Sequence, residues 1–230
     1  MPQRSESGAP GSSGRILRFD TSERWTHRTF GVLMGICLVT AAFLYVPDLS
    51  VLVGQRDMLR LVHLGSGFLL PIPLIVGYAA SGRFRSDVSR LNRFTADDWR
   101  WLRPSQRVSD MAVGKFNAGQ KLNSAFTLGS TLVMLATGAV LTFSSLFSDR
   151  TRTGSTFVHD WLALAIAVVV IGHMWKAAND AGARLGMRSG YVSAQWARDH
   201  HPQWADEVGA QDPTSSPSDP GDLQTRAADR

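Results

Sequence analysis

Thiol chemistry is almost absent from this sequence. One cysteine, Cys37, serves all 230 residues, and it lies inside an apolar stretch. An intramolecular disulfide is therefore excluded, and so is a thiolate cluster for iron–sulfur or zinc. Charge is missing from long tracts: Thr29 to Pro47, Leu61 to Gly82 and Leu122 to Ser148 carry none, and a fourth apolar block from about Ser155 to Trp175 carries only Asp160. Strand-like alternation is missing from all four, which argues against half-buried strands. Nor does the N-terminus have the apolar core of a cleaved signal: residues 1–14 are rich in Ser, Gly and Pro and hold only Arg4 and Glu6 as charges. They read as a disordered leader, and the polar residues 207–230 as a disordered tail.

What is present points to a membrane. Each apolar block is near the roughly 20 residues that cross a hydrocarbon core of ~30 Å. A buried soluble bundle would need four helices without a water-facing side. The expected fold is all-α, an integral membrane four-helix bundle over residues 15–206, with spans near 25–47, 59–82, 119–147 and 155–177. The net charge of +5 could suggest nucleic acid, but the basic residues sit between the apolar blocks. Only Arg56, Arg60, Arg150 and Arg152 of the 24 Lys and Arg fall on the side of the two short loops, and the other 20 share the side of the termini and the 83–121 loop. By the positive-inside rule both termini face the cytoplasm, in a bacterial inner membrane. Pro71 and Pro73 are expected to kink the second helix. Gly65, Gly67, Gly129 and Gly138 would admit close approach of another helix or of a flat cofactor.

The histidines carry the chemistry. Four of six lie in or at the ends of spans: His27, His63, His159 and His173. A single intramembrane histidine is as often a hydrogen-bonded packing residue, but four in these places form a pattern. His159 and His173 are 14 residues apart, hence ~21 Å apart along one helix and only ~40° apart around it. Depth then pairs His27 with His173 near the inner face and His63 with His159 near the outer face. Facing neutral imidazoles at two levels suit two bis-histidine b-type haems. Zinc would want its ligands converging on one point, a proton relay would want more buried carboxylates than Asp160, and covalent c-type haem would need a Cys-x-x-Cys-His motif that is not there. Two axial histidines leave no open iron position, which favours electron transfer over oxygen chemistry. Arg24, Arg28, Arg60 and Lys121 flank the ligands and read equally as haem-propionate partners or as snorkelling, topology-setting charges.

The segment Val113-Gly-Lys-Phe-Asn-Ala-Gly-Gln-Lys-Leu-Asn123 resembles the stretch before the third span in the cytochrome b (gamma) subunit of respiratory formate dehydrogenase. The tail Gln195-Trp-Ala-Arg-Asp-His-His-Pro-Gln-Trp204 is similar to that family's C-terminal segment. The likeness covers about residues 16–206. It implies that His27, His63, His159 and His173 ligate two haem b groups, and that an iron–sulfur subunit, fed by a catalytic dehydrogenase subunit, supplies electrons that reach menaquinone near the cytoplasmic face. It also implies that Asn117, Gly119 and Gln120 border the quinone pocket. From the residues alone, Asn117 and Gly119 read equally as the start of the third helix. Lys176 departs from the family, whose members tend to be apolar there. Related dihaem cytochromes of hydrogenases and thiosulfate reductases share the four-histidine plan, and a membrane anchor without redox chemistry is the reading from another class. Arg198-Asp-His-His-Pro-Gln-Trp reads as docking or surface structure rather than a metal site, and the 83–112 loop, with Trp99 and Trp101, as a short interfacial helix.

Overall fold

The computed structural model describes residues 14–103, 105 and 113–209, so almost all of the expected leader and the tail beyond 209 lie outside the described residues. Four long apolar helical spans dominate: α1 (Thr21–Tyr45), the successive helices α3 (Arg56–Leu69) and α4 (Pro71–Ala80), α7 (Ala118–Thr142) and α8 (Asp149–Ala178). A short α2 (Pro47–Val53) joins the first two spans, and a 3₁₀ turn over Ser144–Leu146 joins the last two. At the other end lie α5 (Gly82–Leu91), α6 (Ala96–Trp101), α9 (Ala181–Ser189), α10 (Ala194–His200) and α11 (Pro202–Glu207). The expected loop over 83–112 thus holds most of α5 and all of α6, while residue 104 and residues 106–112 lie outside the described residues.

Local chemistry sets where the spans begin. Asp20 caps α1 through a reciprocal box: its carboxylate accepts from the Glu23 amide at 2.7 Å, and its own amide donates to Glu23 Oε2 at 2.6 Å. Ser148 caps α8, seven residues before the apolar block starts, so α8 opens with a polar turn and a half. The second span breaks at Pro71. Proline has no N–H for the Gly67 carbonyl, which instead accepts from Leu70 at 3.2 Å. Exposed apolar residues cover the outside of all four spans, among them Leu61, Ile75, Leu132 and Ile171. A lipid-facing helix has this surface, whereas a soluble bundle would place polar residues there.

The spans pack as two pairs, α1 with α3–α4 and α7 with α8. An apolar plug of Met34, Leu70 and Ile166, ringed by Phe30, Phe126 and Leu162, joins the pairs at mid-height. Of the glycines expected to permit close approach, Gly65 and Gly129 face open space, Gly67 is 3.9 Å from Cys37 Sγ and Gly138 is 3.5 Å from His159 Cε1, measured from where a Cβ would stand. The tightest crossing within the spans is at Gly77 instead, where a Cβ would overlap the Thr26 hydroxyl. The sequence offers no signal for this, because the partner lies 51 positions away.

The end carrying the termini is closed by a small cap, which includes two strands within a chain expected to be all-α. Strands β1 (Arg15–Leu17) and β2 (Tyr191–Ser193) pair antiparallel, with Ile16 opposite Val192. Gly190, at φ 92°, turns the chain into β2, and its carbonyl accepts from the amides of Arg18 and Phe19. Val192, Ala197, Trp204 and Ala205 form the core of the cap. Trp204 and His201 are both 3% exposed, so the segment expected to be docking or surface structure turns these two residues inward, while Asp199, His200 and Gln203 are exposed. The polar composition of Arg198–Trp204 conceals two inward-facing residues.

Candidate functional site

The four intramembrane histidines meet in two pairs. His27 on α1 faces His173 on α8 with ring centres 6.1 Å apart, and His63 on α3 faces His159 on α8 at 6.3 Å. These separations can be tested against a shared metal. A metal–imidazole bond of about 2.0 Å on each side, with each ring centre roughly 1.2 Å behind its nitrogen, places two axial imidazole centres about 6.4 Å apart. Both pairs meet that span. The same separations, with the rings tilted at 52° and 66°, also lie within the roughly 4.5–7 Å range of edge-to-face ring pairs, so what favours a shared metal is the occurrence of two such pairs at two levels rather than either distance alone.

Space for a flat cofactor lies beside the outer pair. A cavity of about 670 Å³ opens between the two helix pairs and includes His63 and His159 in its lining, a volume within the usual range of ligand and cofactor pockets. Its walls are mainly aliphatic and contain Gly67 and Gly138, while Arg60 and Asp160 supply charge. Two threonines contact these rings: Thr40 Oγ1 is 2.9 Å from His63 Nδ1, and Thr137 Oγ1 is 2.9 Å from His159 Nδ1. The inner pair is more open, with His27 and His173 both exposed on the bundle surface.

Of the four cations flanking the histidines, only Arg60 lines the cavity. Arg24 donates to the Arg188 carbonyl at 3.0 Å, and Arg28 donates to those of Met187 and Arg188 at 3.1 and 3.0 Å, so both cap the end of α9. Lys121 is buried, paired with Asp98 at 2.6 Å and donating to the Arg93 carbonyl at 2.8 Å. Arg85 on the last carbonyls of α4 and Arg184 on those of α8 repeat the capping at the same end of the bundle.

Asn117, Gly119 and Gln120 stand together at the start of α7. Asn117 Oδ1 accepts from the Gln120 amide and Gln120 Oε1 accepts from the Asn117 amide, both at 3.0 Å. This box uses one oxygen of each side chain and leaves each NH2 group able to donate elsewhere. A Cβ on Gly119 would stand 3.2 Å from the Trp101 ring, so glycine there also seats α6. Lys176 is exposed, as are its neighbours Met174 and Trp175.

Just before α7, the two segments that carry the family resemblance touch each other. His201 Nδ1 lies 2.7 Å from the Gly114 carbonyl, and because a carbonyl only accepts, Nδ1 holds the proton. His201 Nε2 then accepts from Arg18, 3.0 Å away, and Arg18 also donates to the Lys115 carbonyl at 3.1 Å. The Arg18 guanidinium lies over Trp196 at 4.5 Å. Burial, reinforced by this guanidinium, drives His201 down to about 3, and burial lowers Arg18 to about 10, leaving it charged at neutral pH. Lys115 itself is buried, bonded to Asp87 and 3.7 Å from Glu23.

No family model matches the chain. Among individual proteins, the cytochrome b556(fdo) subunit of formate dehydrogenase from Escherichia coli (strain K12) is 24% identical over 199 residues, covering 84% of this chain and 93% of its own. The formate dehydrogenase cytochrome b556 subunit of Haemophilus influenzae is 27% identical over 203 residues, covering 83% of this chain and 82% of its own. The nitrate-inducible cytochrome b556(Fdn) subunit of the same E. coli strain is 32% identical over 105 residues, 44% of this chain and 48% of its own. Four apolar spans, two facing histidine pairs and these relatives agree, and the chain is a homologue of the formate dehydrogenase cytochrome b subunits.

Proposed function

We propose that this chain is the dihaem membrane subunit of a formate dehydrogenase-like complex, taking electrons from an iron–sulfur subunit and delivering them to menaquinone. The observation that carries the reading is the pair of histidine separations, 6.1 and 6.3 Å, at two depths of one bundle. His27 and His173 would hold the inner haem b, and His63 and His159 the outer one. When bound, the two haems supply one-electron transfer without an open coordination position.

The protein's own contribution is to fix depth, exclude water and bring a quinone close. The Met34–Leu70–Ile166 plug fills the space between the two histidine levels with apolar side chains. Asn117 and Gln120, at the same end of the bundle as His27 and His173, would present their NH2 groups to a quinone oxygen, and Gly119 would let the ring approach the backbone. The capping arginines 24, 28, 85 and 184 gather at that end, which supports a cytoplasmic location for it and for both termini. The iron–sulfur subunit would then dock at the opposite end, beside α2 and the Ser144–Leu146 turn, and the quinone would take its protons from the cytoplasm.

Reconstitution in liposomes tests the reading. A menaquinol analogue added to the purified, haem-loaded chain should reduce its b-type absorbance, and Asn117→Leu with Gln120→Leu should slow that reduction while leaving the spectrum intact. A chain that no quinol can reduce would contradict the quinone assignment. The donor is tested by co-purification: an iron–sulfur subunit from a formate dehydrogenase supports the reading, and a hydrogenase partner would replace it.

A further inference from the structure

We infer that Thr40 and Thr137 are positioning residues that fix the ring tautomer of the outer histidine pair, and through it the hold on the outer haem and its potential; the inference rests on the haem reading above. Thr40 Oγ1 donates to a backbone carbonyl of its own helix, that of Ile36 at 2.7 Å or of Cys37 at 3.1 Å. Thr137 Oγ1 does the same toward Val133 at 2.8 Å or Met134 at 3.2 Å. A hydroxyl has one proton, and here it is spent on the backbone. Each oxygen can therefore only accept from the histidine nitrogen 2.9 Å away. His63 and His159 must both carry their proton on Nδ1, which leaves the lone pair of each Nε2 available to a metal.

The arrangement is reciprocal. His63 on α3 is held by a threonine of α1, and His159 on α8 by a threonine of α7, so each helix pair supplies one ligand and one orienting hydroxyl. Back-bonding alone would mean little, since Thr131 and Thr142 also return their hydroxyls to their own helices. Among the described residues, only Thr40 and Thr137 add a histidine nitrogen. Among the described residues the inner rings of His27 and His173 have no such hydrogen bond. A donated Nδ1–H makes the opposite nitrogen a stronger electron donor, which favours the oxidised metal and lowers its potential. The outer site is thus preset in both direction and basicity, and the inner site is not.

The test uses the full-length chain purified with its haems, with Thr40→Val, Thr137→Val and the corresponding Ser variants. The outer component of a redox titration is identified as the one that His63→Ala removes. Each Val variant keeps the threonine shape without the acceptor. It should weaken retention of the outer haem about 10- to 100-fold and shift the remaining outer component to higher potential. Thr→Ser should restore both, and the inner component should stay in place, which also reports that the variant has folded. An unshifted potential with unchanged haem retention in both Val variants would overturn the inference. A haem-free wild-type chain would instead remove the reading beneath it, and the inference would fall with it.

Discussion

Replacing Gly77 by alanine tests how closely the second span must approach the first. The new Cβ would overlap the hydroxyl of Thr26 and stand 3.3 Å from its Cβ and 3.4 Å from its Cγ2. Thr26 cannot swing aside easily: it is 2% exposed, and its hydroxyl reaches the Pro73 carbonyl at 3.4 Å. The helices must part by several tenths of an ångström, and overpacking of this kind costs about 1–3 kcal/mol. Because His27 follows Thr26 directly, the displacement should be felt at the inner histidine pair before the outer one. Gly77→Ala should lower the thermal midpoint of the detergent-solubilised chain and release the inner haem preferentially. Adding Thr26→Ala removes the overlapping atom, so the double variant should be more stable than the sum of the two single losses, with a favourable coupling of about 1 kcal/mol. If Gly77→Ala is as stable as the parent, or if the two losses simply add, the proposed crossing at Gly77 is wrong.

Further outcomes follow from the end of the bundle that carries the termini. Lys121→Met should destabilise the chain by about 3–5 kcal/mol by stranding Asp98 in a buried setting, and adding Asp98→Asn should recover part of that loss in chemical denaturation. The His201 ring titrates near 3 when folded and near the ordinary 6.5 when unfolded, so between those values the unfolded chain binds more protons. Its contribution to stability is therefore complete above about pH 6.5 and is lost as pH falls toward 3, at up to about 1.4 kcal/mol per pH unit. His201→Gln should flatten that slope in denaturation midpoints measured across the range; an unchanged slope would place the titrating group elsewhere.

The spans were legible because a membrane helix must be apolar on every side and about 20 residues long, and a sequence cannot conceal that. The pairing of the histidines was legible for a similar reason: 14 residues on a helix fix both depth and face. Pro71 announced the break in the second span. The cap was less visible. Strands of three residues and helices of six or seven take their form from tertiary packing, and Arg198–Trp204 looks polar until His201 and Trp204 are seen turned inward. Thr40 and Thr137 could not be found from the sequence, since an isolated threonine in a span acquires meaning only from the ring on the neighbouring helix. Arg24, Arg28 and Lys121 show the opposite effect. A cation at a span end read equally as a propionate partner or a topology-setting charge, and helix carbonyls and the buried Asp98 claim these three.

The central claim is that four histidines hold two haems in two fixed pairs, and a count of haem per chain with a reduced-minus-oxidised spectrum tests it most directly. The wild-type chain should carry about two b-type haems; His27→Ala and His173→Ala should each lose the same spectral component, and His63→Ala and His159→Ala the other. A folded chain without haem, or losses that pair the histidines differently, would contradict the account.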